Sequence, residues 1–282
     1  MTFSLTPFHA LWRLAAAGLI ASLAACGGGG GGGDPDGPAA ATGLQGVYDV
    51  QKAGVSQGLA FVLEDGTLWS LLIDESGESP RVEVLQGGLT LEGSTVAGLP
   101  SEAEQGLRFF APAPAGPTRV SAFRGSRVGG GGFDGTLSIQ ALREDALSFV
   151  PVPNSVFPYR TAATATAMAT RWDAVLTTGE TLVFTVAVDG SFEVESPGGC
   201  AIRGTLVPRA NGRNVYNATV SFGPAPCLTP GLVARGIALI QTEDGQRLLL
   251  GGMTSADRDF ALVLSGFESP LPPAPPASAA AR

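Results

Sequence analysis

The sequence predicts an all-β protein whose antiparallel hairpins form one or two sandwich or barrel units. Three observations carry that expectation. From Leu44 onward, short runs rich in Val, Leu, Phe and Thr recur between turn signals. Several of these runs meet at Asp-Gly or Asn-Gly pairs, which permit the φ > 0 geometry of a tight β-turn. No stretch of that region repeats its apolar residues at the spacing of an amphipathic helix.

Taken in order, "GLAFVLEDGTLWSLLI" reads as a hairpin about Asp65-Gly66 and "TLVFTVAVDGSFEVE" as a hairpin about Asp189-Gly190. In the second, Leu182, Phe184, Val186 and Val188 alternate with Val183, Thr185 and Ala187, which marks one apolar face. "CAIRGTLVPRANGRNVYNATVSFG" places Asn211-Gly212 at a third tip, with Arg209 and Arg213 as solvated flanks. "GLVARGIALIQTEDGQRLLLGG" turns at Asp244-Gly245. Hairpins in regular succession argue for a sandwich or a barrel, and a small lipocalin-like barrel fits the strand supply.

An offset of 124 residues carries Tyr48, Asp49, Asp65 and Gly66 onto Trp172, Asp173, Asp189 and Gly190, which suggests an internal duplication. The phase speaks against it. At that offset the apolar row Leu59, Phe61, Leu63 falls on Val183, Thr185, Ala187, the less apolar face of the later strand. A one-residue slip exchanges the faces of a strand, so the match needs a bulge or is accidental.

The expected organisation is a signal peptide over 1–25, a lipidated Gly-rich tether over 26–43 and a β domain over 44–155. A linker over 156–167, a second β domain over 168–266 and a disordered Pro/Ala-rich tail over 267–282 complete the chain. Of its 282 residues 44% are hydrophobic and 15% charged, a balance that buries a core instead of remaining disordered. The formal net charge of −8 argues against binding nucleic acid or anionic lipid, both of which attract basic surfaces.

Leu14 to Ala25 form an apolar run that has the length of a secretory leader core. It is too short for a hydrocarbon layer of roughly 30 Å, which takes about 20 helical residues. Leu23-Ala24-Ala25-Cys26 then resembles the lipobox of bacterial lipoproteins. The resemblance implies that the Cys26 thiol carries diacylglycerol, that the leader is cut before it, and that the new amino terminus is acylated. Because Gly27 and not Asp follows the cysteine, it also implies the outer membrane, with the body facing the periplasm or the cell surface. Several acyl chains hold a protein stably where one is marginal. Gly27 to Gly33 and the residues after them make a tether of about 17 residues, with a span of roughly 20–25 Å.

Cys200 and Cys227 are an even pair in an exported chain and are expected to form a disulfide. The hairpin between them brings Cys200 near Phe222, and "GPAPC" folds Cys227 back. No metal or cofactor site is expected, since the one histidine, His9, leaves with the leader. "GVSQG" around Ser56 matches the serine-hydrolase elbow but lacks a histidine and a following helix. "GGGFDG", 130–135, precedes a strand-like run where a dinucleotide motif needs a helix. Glu193 and Glu195 share a solvent face, and Asp257 with Asp259 lack the further oxygens of a calcium loop.

Trp69, Trp172 and Phe184 are candidates for lining a ligand cavity, against core packing as the commoner fate of aromatics. The expected function is a binding or structural module held on the outer membrane, with no catalytic residue. A lipocalin-like carrier of a small apolar ligand is the alternative, and a carboxylate-dependent, glycosidase-like enzyme the third reading.

Overall fold

A computed structural model describes residues 43–74, 81–100, 103–111, 118–243 and 245–269. The expected leader, Cys26, most of the tether and the tail beyond 269 lie outside them. The chain divides into two units: residues 1–161 with 254–261, and residues 162–253 with 262–282. The described residues of each lie mostly in antiparallel strands.

In the first unit the strands are β1 (Gly46–Lys52), β2 (Val55–Val62), β3 (Thr67–Asp74), β4 (Arg81–Glu92), β5 (Thr95–Gly98), β6 (Arg108–Phe110), β7 (Arg119–Arg127), β8 (Phe133–Ile139) and β9 (Arg143–Pro151). They follow one another around a closed up-and-down barrel, sealed where β1 pairs with β9. Two short strands share one slot. β5 bridges Leu89–Glu92 of β4 to β7 at one end, and β6 bridges Val84–Gln86 to β7 at the other. The barrel is therefore eight strands around at either level, which removes every free edge.

The second unit begins with a single helical turn, α1 (Ala165–Met168), capped by Thr164. Its strands are β10 (Arg171–Leu176), β11 (Thr181–Thr185), β12 (Ser191–Glu195), β13 (Ala201–Pro208), β14 (Tyr216–Phe222), β15 (Val233–Glu243), β16 (Gln246–Ser255) and β17 (Ala261–Ser269). β10 again pairs with the second strand and the last, β11 and β17. The eight strands curl into a nearly closed barrel whose two ends are β11 and β12.

The Asp-Gly and Asn-Gly turns fall where the sequence puts them. Gly66, Gly190, Gly212 and Gly245 all have φ between 68° and 85°, the region a side chain resists. Three of the four expected hairpins are paired ladders, β2–β3, β13–β14 and β15–β16. The fourth differs. The chain reverses at Asp189-Gly190, but β11 and β12 are not ladder partners.

The 124-residue offset recurs in the structure of each unit. Tyr48 faces Ala60 across β1–β2, and Trp172 faces Phe184 across β10–β11. Tyr48 Oη donates to the carbonyl of Leu44 (2.5 Å), and Trp172 Nε1 to that of Met168 (3.1 Å), each four residues back. The phase objection falls away because the inner row of β2 is Ala60 and Val62, which the offset carries onto buried Phe184 and Val186. Phe61 and Leu63 lie on the other face. That face is apolar too, since Phe157 packs on Phe61 (5.6 Å between rings) and Tyr159 Oη reaches the Val62 carbonyl.

Candidate functional site

Alternation along the first barrel's strands sends one row of each inward. Near the middle these rows supply Tyr48, Phe123, Phe133 and Phe149 to one core. Phe133 and Phe149 stack at 4.3 Å and 12°, while Tyr48 and Phe123 meet both rings edge-on at 5.1–6.4 Å. Gly135 makes room for them. A Cβ there would stand 2.5 Å from the Phe123 ring and 2.5 Å from the Arg124 carbonyl. Burial pushes the Tyr48 hydroxyl up to about 12, so it remains a neutral donor.

At one mouth of this barrel the same inward rows end in charge. Lys52 closes β1, Glu83 opens β4, and Arg143 and Asp145 open β9. Arg143 grips Glu83 with two parallel bonds, Nη1–Oε1 at 3.1 Å and Nη2–Oε2 at 2.5 Å. Its Nε donates to Asp145 Oδ2 at 2.6 Å, and Lys52 Nζ donates to Asp145 Oδ1 at 2.6 Å. The guanidinium also lies 5.2 Å from the centre of the buried Phe109 ring, close enough for a cation–π contact.

Glu83 and Asp145 are 7% and 6% exposed, so each needs the cations beside it. Burial opposes the charge on Asp145, but bonds from Lys52 and Arg143 outweigh it and hold the carboxyl below its ordinary range. The bonds to Glu83 raise the Arg143 guanidinium further above its ordinary value. A cavity of about 220 Å³ opens here, lined by the four charges with Gln57, Leu72, Ile73 and Leu147. It could hold a few waters or one small polar molecule. The sequence does not mark these four as a cluster, because Lys52 and Asp145 are 93 positions apart.

The candidate cavity residues fall into different units. Trp69 sits on β3 opposite Phe61, in the row alternating with core residues Leu68 and Leu72, and thus faces outward. Trp172 is fully buried in the second unit, with the Arg247 guanidinium 5.4 Å from its ring. Phe184 packs against Phe192 at 4.7 Å. Arg247 is itself held by Glu268 at 2.9 Å and by the carbonyl of Ala167.

Cys200 and Cys227 form a disulfide, with Cα atoms 4.4 Å apart. The β13–β14 ladder pairs Ile202 with Phe222, Gly223 bonds Ala201, and a turn from Pro224 brings Cys227 back. The loop also leans on a buried acid, since Glu180 Oε1 accepts from the Leu228 amide at 3.3 Å.

Ser56 lies on β2 and donates to the Asp49 carboxylate, not to a histidine. The strand β8 follows the glycine loop at 129–131, as its sequence implied. Glu193 and Glu195 point to solvent. Asp257 accepts from Ser255 and the Asp259 amide within a tight turn. Within the same unit Arg258 donates to Gln86 Oε1 and to the carbonyls of Gln86, Glu104 and Gly106. Among the described residues no cluster of three or more His, Cys, Asp or Glu could hold a metal ion, and no helix is long and apolar enough to cross a membrane.

Neither a family model nor a curated protein matches the chain. Among solved structures, a crystal structure of a candidate outer membrane protein from Bacteroides fragilis aligns with 80% of this chain and 96% of its own. The two are 6% identical, with a TM-score of 0.18.

Proposed function

We propose that this chain is an exported lipoprotein, anchored in the outer membrane through Cys26, whose body works as a binding or structural module through its outer surface. One observation carries the second half of that reading. The first barrel's interior is occupied by four aromatic rings in mutual contact, and its mouth is held by the Arg143 network. A carrier needs an enclosed apolar space of several hundred cubic ångströms, about 300 or more. The 220 Å³ at this mouth is smaller than that, and four of its eight lining side chains are charged.

The network also argues against a glycosidase. Such enzymes need one carboxyl kept protonated near neutral pH by a raised pKa. Asp145 is shifted the opposite way, and both oxygens of Glu83 are taken by Arg143. The first half of the reading rests on Leu23-Ala24-Ala25-Cys26.

Intact mass of the chain purified from its own membranes tests both halves. The expected mass begins at Cys26 and exceeds the polypeptide by a diacylglycerol and an acyl chain. Native spectra are expected to show no further small molecule. An unmodified Cys26 would refute the anchor, and a stoichiometric apolar ligand would favour the carrier.

A further inference from the structure

The turn at Asp189-Gly190 repeats the one at Asp65-Gly66 bond for bond. In the first barrel Leu63 N donates to Thr67 O, Gly66 N to Leu63 O, and Thr67 N to the Asp65 carboxylate. In the second, Ala187 N donates to Ser191 O, Gly190 N to Ala187 O, and Ser191 N to the Asp189 carboxylate. Every one of these residues is displaced by 124.

Beyond the two turns the strands part company. β2 and β3 continue as a ladder, with Phe61 opposite Trp69 and Leu59 opposite Leu71. The equivalent pairs, Thr185 with Glu193 and Val183 with Glu195, are not formed. The flanking ladders determine which backbone groups are left over. Leu176 N bonds Glu180 O and Val186 N bonds Thr170 O, so the even-numbered residues of β11 bond to β10. Leu206 N bonds Gly190 O and Ser196 N bonds Cys200 O, so the even-numbered residues of β12 bond to β13. The amides and carbonyls of Val183, Thr185, Glu193 and Glu195 therefore face each other across the gap in matching register.

The side chains explain why one seam is shut and the other is not. In the first barrel the outward pair Phe61–Trp69 is aromatic and buried, which favours pairing. In the second the outward pairs set exposed Thr185 and Val183 against two glutamates on one face of β12. Neither pair attracts: Glu193 already has Arg203 opposite it on β13, and Glu195 has only Ala201. On the inner side Phe184 and Phe192 already touch at 4.7 Å, so the strands are in place to close.

We propose that β11 and β12 form a lateral gate in the second barrel, a seam that zips from the Ala187–Ser191 rung in the register Thr185–Glu193 and Val183–Glu195. Behind it lie the buried side chains of Leu182, Phe184 and Trp172, and its outward side chains set how readily it closes. The gate concerns the second barrel, so it stands or falls separately from the anchor and from the filled first barrel.

Amide hydrogen exchange resolved by residue, on the intact exported chain, tests it. The amides of Val183, Thr185, Glu193 and Glu195 are expected to exchange at least about tenfold faster than their counterparts Leu59, Phe61, Trp69 and Leu71. Equal protection of the two sets would overturn the proposal. So would protection that appears only when a second copy or another peptide covers the edge.

The double substitution Glu193→Val with Glu195→Val replaces two poorly pairing side chains with β-branched partners. It is expected to slow all four seam amides at least about tenfold while Leu182 and Phe184 stay as they were. No slowing in a variant that keeps its Cys200–Cys227 bond would refute the zipper. Should that variant fail to fold, Thr185→Cys with Glu193→Cys provides the second measurement. Oxidation is expected to join the two new thiols and protect Val183 and Glu195, and a folded protein in which they do not join would also overturn the register.

Discussion

Replacing Arg143 with Met leaves the stem and removes the fork that holds two buried acids. Glu83 loses both of its bonds and Asp145 loses one of two, with Lys52 left as its remaining partner. Breaking a buried pair by removing one member costs about 3–5 kcal/mol, because a desolvated charge is left behind. The Arg143 side chain is one-third exposed, so water reaches part of the site and the expected loss is about 3 kcal/mol. Lys52→Met removes a cation whose side chain is half in solvent, and its cost should be about 0.5–1 kcal/mol.

Urea unfolding followed through Trp69, which lies in the first barrel, separates the two variants. At an ordinary slope the Arg143 variant should lose about 1.5 M in midpoint and the Lys52 variant about a third of that or less. The pH dependence has a definite sign. Asp145 has a lowered folded pKa, so its contribution is full above the unfolded value of about 3.9 and fades as pH falls through the folded value. The gap between wild type and Arg143→Met should accordingly shrink in acid. Equal costs for the two variants, or a gap that widens below pH 4, would refute the claim that the network supports the barrel mouth.

Removing the disulfide with Cys200→Ala and Cys227→Ala opens a loop spanning 27 positions and should cost about 3.5 kcal/mol on the chain-entropy model. The Trp172 signal reports that loss, and reductant should produce it in the wild type. Gly135→Ala forces a methyl against the Phe123 ring and the Arg124 carbonyl, so at least about 1–3 kcal/mol should be lost from the first barrel's unfolding. Tyr48→Phe removes one hydrogen bond to a buried carbonyl and should cost about 1–2 kcal/mol, measured in the same titration.

How much of this was legible in the sequence depends on how local each signal is. The turns were legible because Asp-Gly and Asn-Gly supply a backbone conformation that few other pairs tolerate. The disulfide was legible because one hairpin and one short loop suffice to join it. The inner face of β2 was not, since Phe61 and Leu63 are as apolar as Ala60 and Val62, and the segment covering them comes after β9. Nor was the mouth network, whose members come from β1, β4 and β9 and meet only once the barrel closes. The unzipped β11–β12 pair misled for another reason. Its turn is perfect, and the failure lies in outward side chains that a pattern of inward ones does not weigh.

The shared register also means that Lys52 and Leu176 hold equivalent places, at the ends of β1 and β10. At that end one barrel is tied by protons and charges, and the other, around Glu180 and the Cys227 loop, by a shared electron pair. The two ties answer to different features of the surroundings. Acid would loosen the first and leave the second, while a reducing medium would do the reverse. A chain kept where thiols stay reduced would thus finish one of its barrels and leave the other without its clasp, which closes only in an oxidising medium.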